Sequence, residues 1–378
     1  MTAATPSTEH ITPGQFVLVA AGGAALTIAP FMYSLLPEQY LRDAMHLEEA
    51  MGPRHMTDSA ASFQDMAAVY LALGLDRSRI LAALLGIIVF GLGVLAATGW
   101  RRLGSLHLWE IALCAGSFVP ALAYLAQYTK ELATSVLVLL VLLLPTSRSH
   151  RGQWAAHLVV VILCLLYGAA LRPYWIIVAA LYLLWTLVLS RTASLLVGLA
   201  AVAISYAVMQ PLFRAVLGTG LQGQRDWSNL ERAQTGVEVH SQIASFMPEA
   251  TGALGVLAAM IALAATALPW PLLLSGSPFH TAAGLGIAAL WGTVLLSILR
   301  GTLLTRPAPS GNSPETQALE RAGAVVCADL LRRRRTAALL IAFLVVQALF
   351  EPDYGSALKH LTPMLPLVLA VTIDRSEG

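Results

Sequence analysis

Residues Ile80 to Thr98 read ILAALLGIIVFGLGVLAAT, nineteen consecutive residues without a charged side chain. At a rise of about 1.5 Å per residue, a helix of this length spans roughly 29 Å, close to the hydrocarbon thickness of a bilayer. The whole chain of 378 residues is similar, with 57% hydrophobic residues, 12% charged residues and a mean hydropathy of +0.71. Soluble domains have about 25% charged residues. We therefore predict an all-α, polytopic integral membrane protein.

Apolar runs recur along the sequence, which predicts a single transmembrane domain over residues 1–378 with about ten crossings. Besides residues 80–98, the predicted spans are Gly14 to Leu36, Leu106 to Gln127, four that begin near Leu132, Trp154, Tyr174 and Ala193, then Ala250 to Leu274, Phe279 to Leu299, Thr336 to Phe350 and Leu361 to Ile373. The three cysteines lie far apart in sequence and indicate neither a disulfide framework nor a metal motif.

Arginines in short loops indicate the orientation, because cytoplasmic loops are enriched in Lys and Arg. Such arginines alternate with loops of mixed charge; they are Arg101 with Arg102, Arg148 with Arg151, and Arg191. This pattern predicts a cytoplasmic N-terminus and a cytoplasmic basic segment at 300–335. The first loop (37–78), the large loop (218–249) and the turn at 351–360 are then on the outer side.

One apolar run conflicts with this orientation. If both 250–274 and 279–299 crossed the membrane, the run Arg332 to Arg335 would lie outside, against the strongest charge signal in the chain. The run 250–274 ends in Leu268-Pro269-Trp270-Pro271, which suits a re-entrant or interfacial helix. We predict that this run does not cross. Arg332 to Arg335 are predicted to be topology anchors without a catalytic role.

Four short polar segments fall on the predicted outer side. They are Arg42-Asp43, Tyr128 to Glu131, Arg172 to Tyr174, and Glu351 to His360. The only two lysines of the chain, Lys130 and Lys359, both lie in them. Cations and carboxylates that converge at one membrane face predict a site for an anionic, lipid-anchored substrate.

In the first loop, apolar residues between Tyr40 and Met51 recur at helical spacing, which predicts an amphipathic helix on the outer surface. Asp43 on this helix is a candidate general base for a sugar hydroxyl. The alternative is that Arg42 and Asp43 form an ordinary solvated helix start.

Lys130 and Glu131 join two apolar runs with almost no linker, so they must lie at or just inside the interface. An unpaired charge there costs roughly 2.5 to 3.5 kcal/mol. Glu131 is the second candidate base and Lys130 a candidate ligand for substrate, unless the pair is only a self-paired turn. Arg172, beside Tyr174, can bind a phosphate as a bidentate fork, or it can simply snorkel to the interface.

Two further groups of polar residues are candidate substrate ligands. The closing turn concentrates them in ten residues: Glu351, Asp353, Tyr354, Lys359 and His360. The large loop adds Arg225, Arg232 and His240, a composition that suits a sugar diphosphate but also an ordinary polar loop.

The order of these motifs resembles the Wzy-type repeat-unit polymerases of bacterial O-antigen, capsule and exopolysaccharide pathways. The motifs are Pro37, Tyr40 and Arg42-Asp43-Ala44 with Ser62-Phe63, then Tyr128-Thr129-Lys130-Glu131, Arg172-Pro173-Tyr174, and Asp353-Tyr354-Gly355-Ser356 with Lys359-His360. The family pattern has arginine before the histidine, whereas this chain has Lys359. Lysine keeps the positive charge but lacks the bidentate geometry of a guanidinium group.

The resemblance implies a multi-pass glycosyltransferase of the bacterial cytoplasmic membrane. Such an enzyme transfers a glycan from undecaprenyl diphosphate to a lipid-linked acceptor at the outer face. Asp43 or Glu131 would activate the acceptor hydroxyl, and Arg172, Lys130, Lys359 and His360 would bind the diphosphate. It also implies membrane lipid, a flippase and a chain-length regulator as partners, with no nucleic acid, no cofactor and no metal.

Three other classes stay open from the sequence. A GT-C glycosyltransferase that uses a polyprenyl-phosphate sugar would share the first-loop carboxylate, but a paired acidic motif is missing there. A flippase or transporter would show internal repeats and midplane charges, of which Glu110 is the clearest candidate. The third class is a non-catalytic assembly partner.

Overall fold

The computed structural model describes residues 11–52, 61–147, 149–192, 194–234, 241–243, 245–247, 250–300 and 314–373. Within these ranges every regular element is a helix, apart from one isolated bridge between Gln242 and Asp353. The α-helices are α1 Pro13–Ile28, α2 Met32–Leu35, α3 Glu38–Met51, α4 Ala61–Ala72, α5 Arg79–Thr98, α6 Leu108–Gly116, α7 Phe118–Leu125, α8 Glu131–Leu143, α9 His150–Ala170, α10 Trp175–Arg191, α11 Leu195–Leu217, α12 Gly223–Gln234, α13 Gly252–Ala267, α14 Trp270–Leu273, α15 Pro278–Leu299, α16 Pro314–Phe350, α17 Tyr354–Leu361 and α18 Leu365–Thr372.

Apolar helices long enough to cross a membrane confirm the predicted fold class. Six are found in the described chain: Pro13–Leu35, Arg79–Thr98, Leu108–Leu125, His150–Ala170, Leu195–Leu217 and His280–Leu299. Three shorter apolar helices, α8, α10 and α13, pack among them. Two spans contain local breaks, a 3₁₀ turn at Ala29–Phe31 that includes Pro30 and a junction at Ser117. The protein is therefore an all-α, polytopic membrane protein.

The helix α13 begins and ends at the same end of the bundle. Its first turn follows Ala250, whose carbonyl lies near Gly220 just after α11. At its last turn, the carbonyl of Ala265 accepts a hydrogen bond from the Tyr354 hydroxyl at 3.1 Å. Trp270 then meets Phe246 with ring centroids 5.7 Å apart. The predicted non-crossing of 250–274 agrees with this geometry.

The basic segment differs from its prediction. We expected a polar stretch at 300–335 before a hairpin helix from Thr336, but α16 begins at Pro314 and runs without a break to Phe350. Arg332, Arg333 and Arg335 lie inside this helix and are buried. Hydropathy places the limit of an apolar span at the first charged run. The helix itself continues through that run, because arginine is a good helix former.

Two close contacts position the first loop and α5 at one end of the bundle. In α3, Leu41, Ala44 and Leu47 are buried at a spacing of three, so the predicted amphipathic helix is present. Glu48, one turn after Ala44 in α3, accepts hydrogen bonds from Arg79 Nη2 at 2.7 Å and from the Tyr33 hydroxyl at 3.0 Å. Gly86 lets α5 approach α7 closely, because a Cβ there would lie 2.1 Å from the Leu125 carbonyl oxygen.

Candidate functional site

The four polar segments singled out in the sequence meet at one end of the bundle. The contributing elements are α3, the turn before α8, the turn between α9 and α10, and α17 with the end of α16. Apart from Asp43, which lies within α3, each side chain belongs to a helix end or to a short turn, so the packing of the helices fixes the positions of the charges. We call Asp43, Glu131, Arg172, Lys359, His360, Glu351 and Lys130 the charge cluster.

Asp43 and Lys359 form one ion pair of the charge cluster. The Lys359 Nζ donates to Asp43 Oδ2 at 2.5 Å, although the residues are 316 positions apart in sequence. Burial raises the pKa of Asp43, but the ammonium of Lys359 more than offsets it, and the pKa falls to about 2. Asp43 is thus ionised at neutral pH and a weak base.

Arg172 and Glu131 form the second pair, which is more deeply buried. Arg172 donates through Nη2 to Glu131 Oε1 and through Nη1 to the Tyr174 hydroxyl at 3.0 Å. The side chains of Arg172 and Glu131 are 9% and 0% exposed. Burial would lower the pKa of Arg172, but the Glu131 carboxylate raises it well above its ordinary value. The guanidinium is therefore a fixed positive charge.

His360 lies between Glu351 and the Arg172–Glu131 pair. Its Nδ1 is hydrogen-bonded to Glu351 Oε1, and its Nε2 lies 3.5 Å from Glu131 Oε1. Burial and the Arg172 guanidinium lower the pKa of His360 to about 3, so the ring is neutral at pH 7. An ionised Glu351 can only accept, which places the ring proton on Nδ1 and leaves a lone pair on Nε2.

Lys130 lies at the edge of the charge cluster, against α4. Its Nζ donates to Ser62 Oγ at 3.3 Å and lies 3.6 Å from the centroid of the Phe63 ring. This is the geometry of a cation–π contact. Burial lowers the pKa of Lys130 to about 8, partly offset by the negative charge of Asp43.

The buried carboxylate of Glu131 has an oxygen that lacks a hydrogen-bond partner among the residues that the structure describes. It is Glu131 Oε2, and Glu131 is completely buried. A buried acceptor without a partner costs about 1 to 3 kcal/mol. An arriving hydroxyl group would remove this cost by donating to the free oxygen.

The other predicted ligands lie elsewhere or serve the scaffold. Asp353 caps α17 by accepting from the Ser356 backbone NH and hydroxyl, both at 2.8 Å, and Tyr354 ties α17 to α13. Arg225 is fully buried and donates to the Ala348 carbonyl oxygen at 3.1 Å, so the structure does not place it in the charge cluster. Arg42 is exposed on α3. The side chain of Arg232 and the whole of His240 lie outside the described residues.

Sequence reasoning missed the support beneath Asp43. The helix α3 is held against the bundle by Glu48, which is bonded to Arg79 and Tyr33. The Arg79 guanidinium carbon also lies 3.9 Å from the Tyr33 ring centroid. Glu48 and Arg79 are 31 positions apart, and no local pattern connects them. Glu110, the candidate midplane charge, instead caps the start of α6 by accepting from the His107 backbone NH at 2.8 Å.

Within the described ranges, no group of three or more His, Cys, Asp or Glu residues is placed to hold a metal ion. Comparisons of the chain with protein-family models, with curated proteins and with solved structures found no match. The chemistry of the charge cluster is therefore the main guide to function.

Proposed function

We propose that the protein is a polymerase of lipid-linked polysaccharide repeat units. The observation that supports this most directly is the charge cluster, which combines two lysines, an arginine, three carboxylates and a neutral histidine at one end of an apolar helical bundle. A diphosphate on a polyprenyl chain needs cations at the depth of the headgroups. A sugar hydroxyl that becomes a nucleophile needs a nearby base.

The proposed reaction is a glycosyl transfer. A hydroxyl oxygen of the lipid-linked acceptor bonds to the anomeric carbon of the donor glycan, and the bond from that carbon to undecaprenyl diphosphate breaks. The hydroxyl proton passes to a carboxylate, and the electron pair of the broken bond leaves with the diphosphate. Arg172, Lys359 and Lys130 stabilise the charge that develops on the leaving group.

Two carboxylates are candidates for the base, and geometry favours Glu131. Asp43 is already bonded to Lys359, and its low pKa makes it a poor proton acceptor. Glu131 holds Arg172 with one oxygen and leaves Oε2 without a partner among the described residues. Asp43 then serves to orient Lys359. His360, oriented by Glu351, lies beside Glu131 and can share the proton.

This function requires the charge cluster to face the outer side of a bacterial cytoplasmic membrane, with the N-terminus in the cytoplasm. The contrast between the two ends of the bundle supports that orientation. Arg101, Arg102 and the run in α16 lie at the end opposite to the charge cluster. Positive residues favour the cytoplasmic side. The flippase and the chain-length regulator remain proposed partners.

The test is a reconstituted reaction. Purified protein in proteoliposomes is mixed with an undecaprenyl-diphosphate-linked repeat unit, and the products are separated by size. A ladder of longer lipid-linked glycans supports the proposal, and Arg172→Lys should abolish most of it while Arg334→Lys leaves it intact. Movement of the lipid between leaflets without a ladder would identify a flippase instead.

A further inference from the structure

Three arginines in the middle of α16 make an unusual set of contacts. Arg332, Arg333 and Arg335 are 7%, 4% and 3% exposed. Each donates to a backbone carbonyl at the end of a different helix, respectively α5, α18 and α8. A run that looks like a topology signal is therefore buried in the bundle.

The contacts are specific in geometry. Arg332 donates to the carbonyl oxygens of Ala96 and Ala97, the latter at 3.4 Å. Arg333 donates through Nε at 3.2 Å and Nη2 at 2.8 Å to the Val371 oxygen. Arg335 donates to the oxygens of Leu144 at 2.8 Å and Pro145 at 3.4 Å, just after α8.

Helix C-termini explain why arginine fits these positions. The last four carbonyls of a helix have no intrahelical donor, and the macrodipole makes that end negative. A hydrogen bond from a charged donor is stronger than one between neutral groups. Lysine offers one compact charge, whereas the guanidinium fork holds a carbonyl group in a fixed direction.

The other ends of the same helices lie at or next to the charge cluster. Glu131 begins α8, and α18 follows the helix that contains Lys359 and His360. Arg79 at the start of α5 binds Glu48 of α3, the helix of Asp43, and α16 ends just before Glu351. Sixteen residues separate Arg335 from Glu351 along the chain, which is about 24 Å of helix.

We propose that Arg332, Arg333 and Arg335 are positioning residues: by capping α5, α18 and α8 from a single helix, they fix the axial register of the helices whose opposite ends form or adjoin the charge cluster. A slip of one helical turn would move a side chain by about 5.4 Å, more than the length of any hydrogen bond in the cluster. The proposal concerns the geometry of the cluster and does not rest on the proposed reaction.

The two lysines give a direct readout, because both lie in the charge cluster and the chain has no others. Reductive methylation with ¹³C-formaldehyde labels both ammonium groups and keeps their charge. The ¹³C spectrum of the full-length protein in nanodiscs then reports the surroundings of Lys130 and Lys359 far from the arginines. The α-amino group adds a third signal that is assigned with Lys130→Met and Lys359→Met.

Arg335→Gln and Arg333→Gln test the proposal, and Arg334→Gln is the matched control, since Arg334 belongs to the same run but is only half-buried. We expect Arg335→Gln to displace mainly the Lys130 signal and Arg333→Gln mainly the Lys359 signal. The titration midpoint of Lys130 should rise by about 0.5 pH unit or more as burial is lost. The control should leave both signals in place.

A role in folding alone predicts a different result. Thermal stability would fall in Arg335→Gln and Arg333→Gln while both lysine signals stayed unchanged, and that outcome overturns the proposal. If Arg335→Gln does not accumulate, Arg333→Gln and Arg332→Gln test the same arrangement through α18 and α5. Failure of all three to fold, with a normal Arg334→Gln, assigns the run to folding and also overturns it.

Discussion

The two ends of this helical bundle both bury arginines, but they give them different partners. At one end Arg172 is bonded to the carboxylate of Glu131, within a group of both signs that includes Asp43 and Lys359. At the other end Arg333 and Arg335 are bonded to main-chain carbonyls. A phosphate group of a ligand can replace a carboxylate as the partner of an arginine. A main-chain carbonyl at the end of a helix stays in place and cannot be replaced in this way. The chemistry of the partner, more than burial, thus distinguishes a binding site from a structural clamp.

The largest expected difference between the two ends is their accessibility from outside the cell. A cysteine at the exposed Arg42 should react with an impermeant maleimide in intact cells. A cysteine at the exposed Arg101, beyond the last turn of α5, should react only after permeabilisation. Labelling is measured by gel shift in a background with Cys327 changed to Ser, and Cys114 and Cys164 are buried. Labelling of both positions in intact cells would contradict the proposed orientation.

Glu131→Gln should have the next largest effect, on catalysis. The variant keeps the shape of the side chain but removes the proton acceptor, and a base typically contributes about 10² to 10⁴ in rate. We expect turnover to fall by that factor while lipid-linked substrate still binds. Asp43→Asn should instead weaken binding, because it releases Lys359. Single-turnover rates and binding are measured separately, and the reverse result would make Asp43 the base.

Arg172→Ala should destabilise the folded protein more than substitution of Arg332, Arg333 or Arg335. Removing one partner of a buried ion pair typically costs about 3 to 5 kcal/mol, because the other charge is left without compensation. Glu131→Ala should cost a similar amount, and the double variant should cost less than the sum. Thermal unfolding in detergent measures all three. Additive losses would mean that the pair is not coupled.

Much of this arrangement could be predicted from the sequence. Apolar runs predict the all-α fold, and six of the predicted spans form helices long enough to cross a membrane in the described chain. The charge conflict around Arg332 to Arg335 predicts that residues 250–274 do not cross. Hydropathy is a local quantity, however, and the pair Glu48–Arg79 needs two helices to be packed first. The arginine run shows the limit best: its charge predicts a side of the membrane, but only the packed helices place its side chains on three helix ends.

Of the site, the sequence predicts the membership but not the pairing. Asp43, Glu131, Arg172, Lys359 and His360 do meet, yet Asp43 is bonded to Lys359 rather than to its neighbour Arg42. Adjacent residues on a helix point in different directions, so sequence neighbours rarely pair. The prediction that Arg225 belongs to the site is not confirmed, because its side chain is buried elsewhere. A cation in a polar loop looks available, whereas the fold buries it against the end of α16.

Gly86→Ala tests how tightly the charge cluster end is packed. The new Cβ would lie 2.1 Å from the Leu125 carbonyl oxygen, so α5 and α7 would have to separate. Overpacking of this kind costs about 1 to 3 kcal/mol. Gly91→Ala in the same helix is the control, since its Cβ would approach only Phe118 side-chain atoms at 3.8 Å or more. Equal melting temperatures for the two variants would contradict the close approach.

The smallest effect that we predict is in the titration of Lys130. Burial lowers the pKa of Lys130 to about 8, and the negative charge of Asp43 limits that decrease. Asp43→Asn should therefore lower the pKa further, by about 0.5 unit or more, whereas Arg42→Gln, which removes an exposed charge, should not. The folded pKa lies below the unfolded value of about 10.4, so the unfolded state binds more protons between pH 8 and pH 10.4. Stability due to Lys130 should consequently rise with pH across that window. The ¹³C signal of dimethylated Lys130 measures the midpoint, and a rise on Asp43→Asn would show that Asp43 and Lys130 do not share one site.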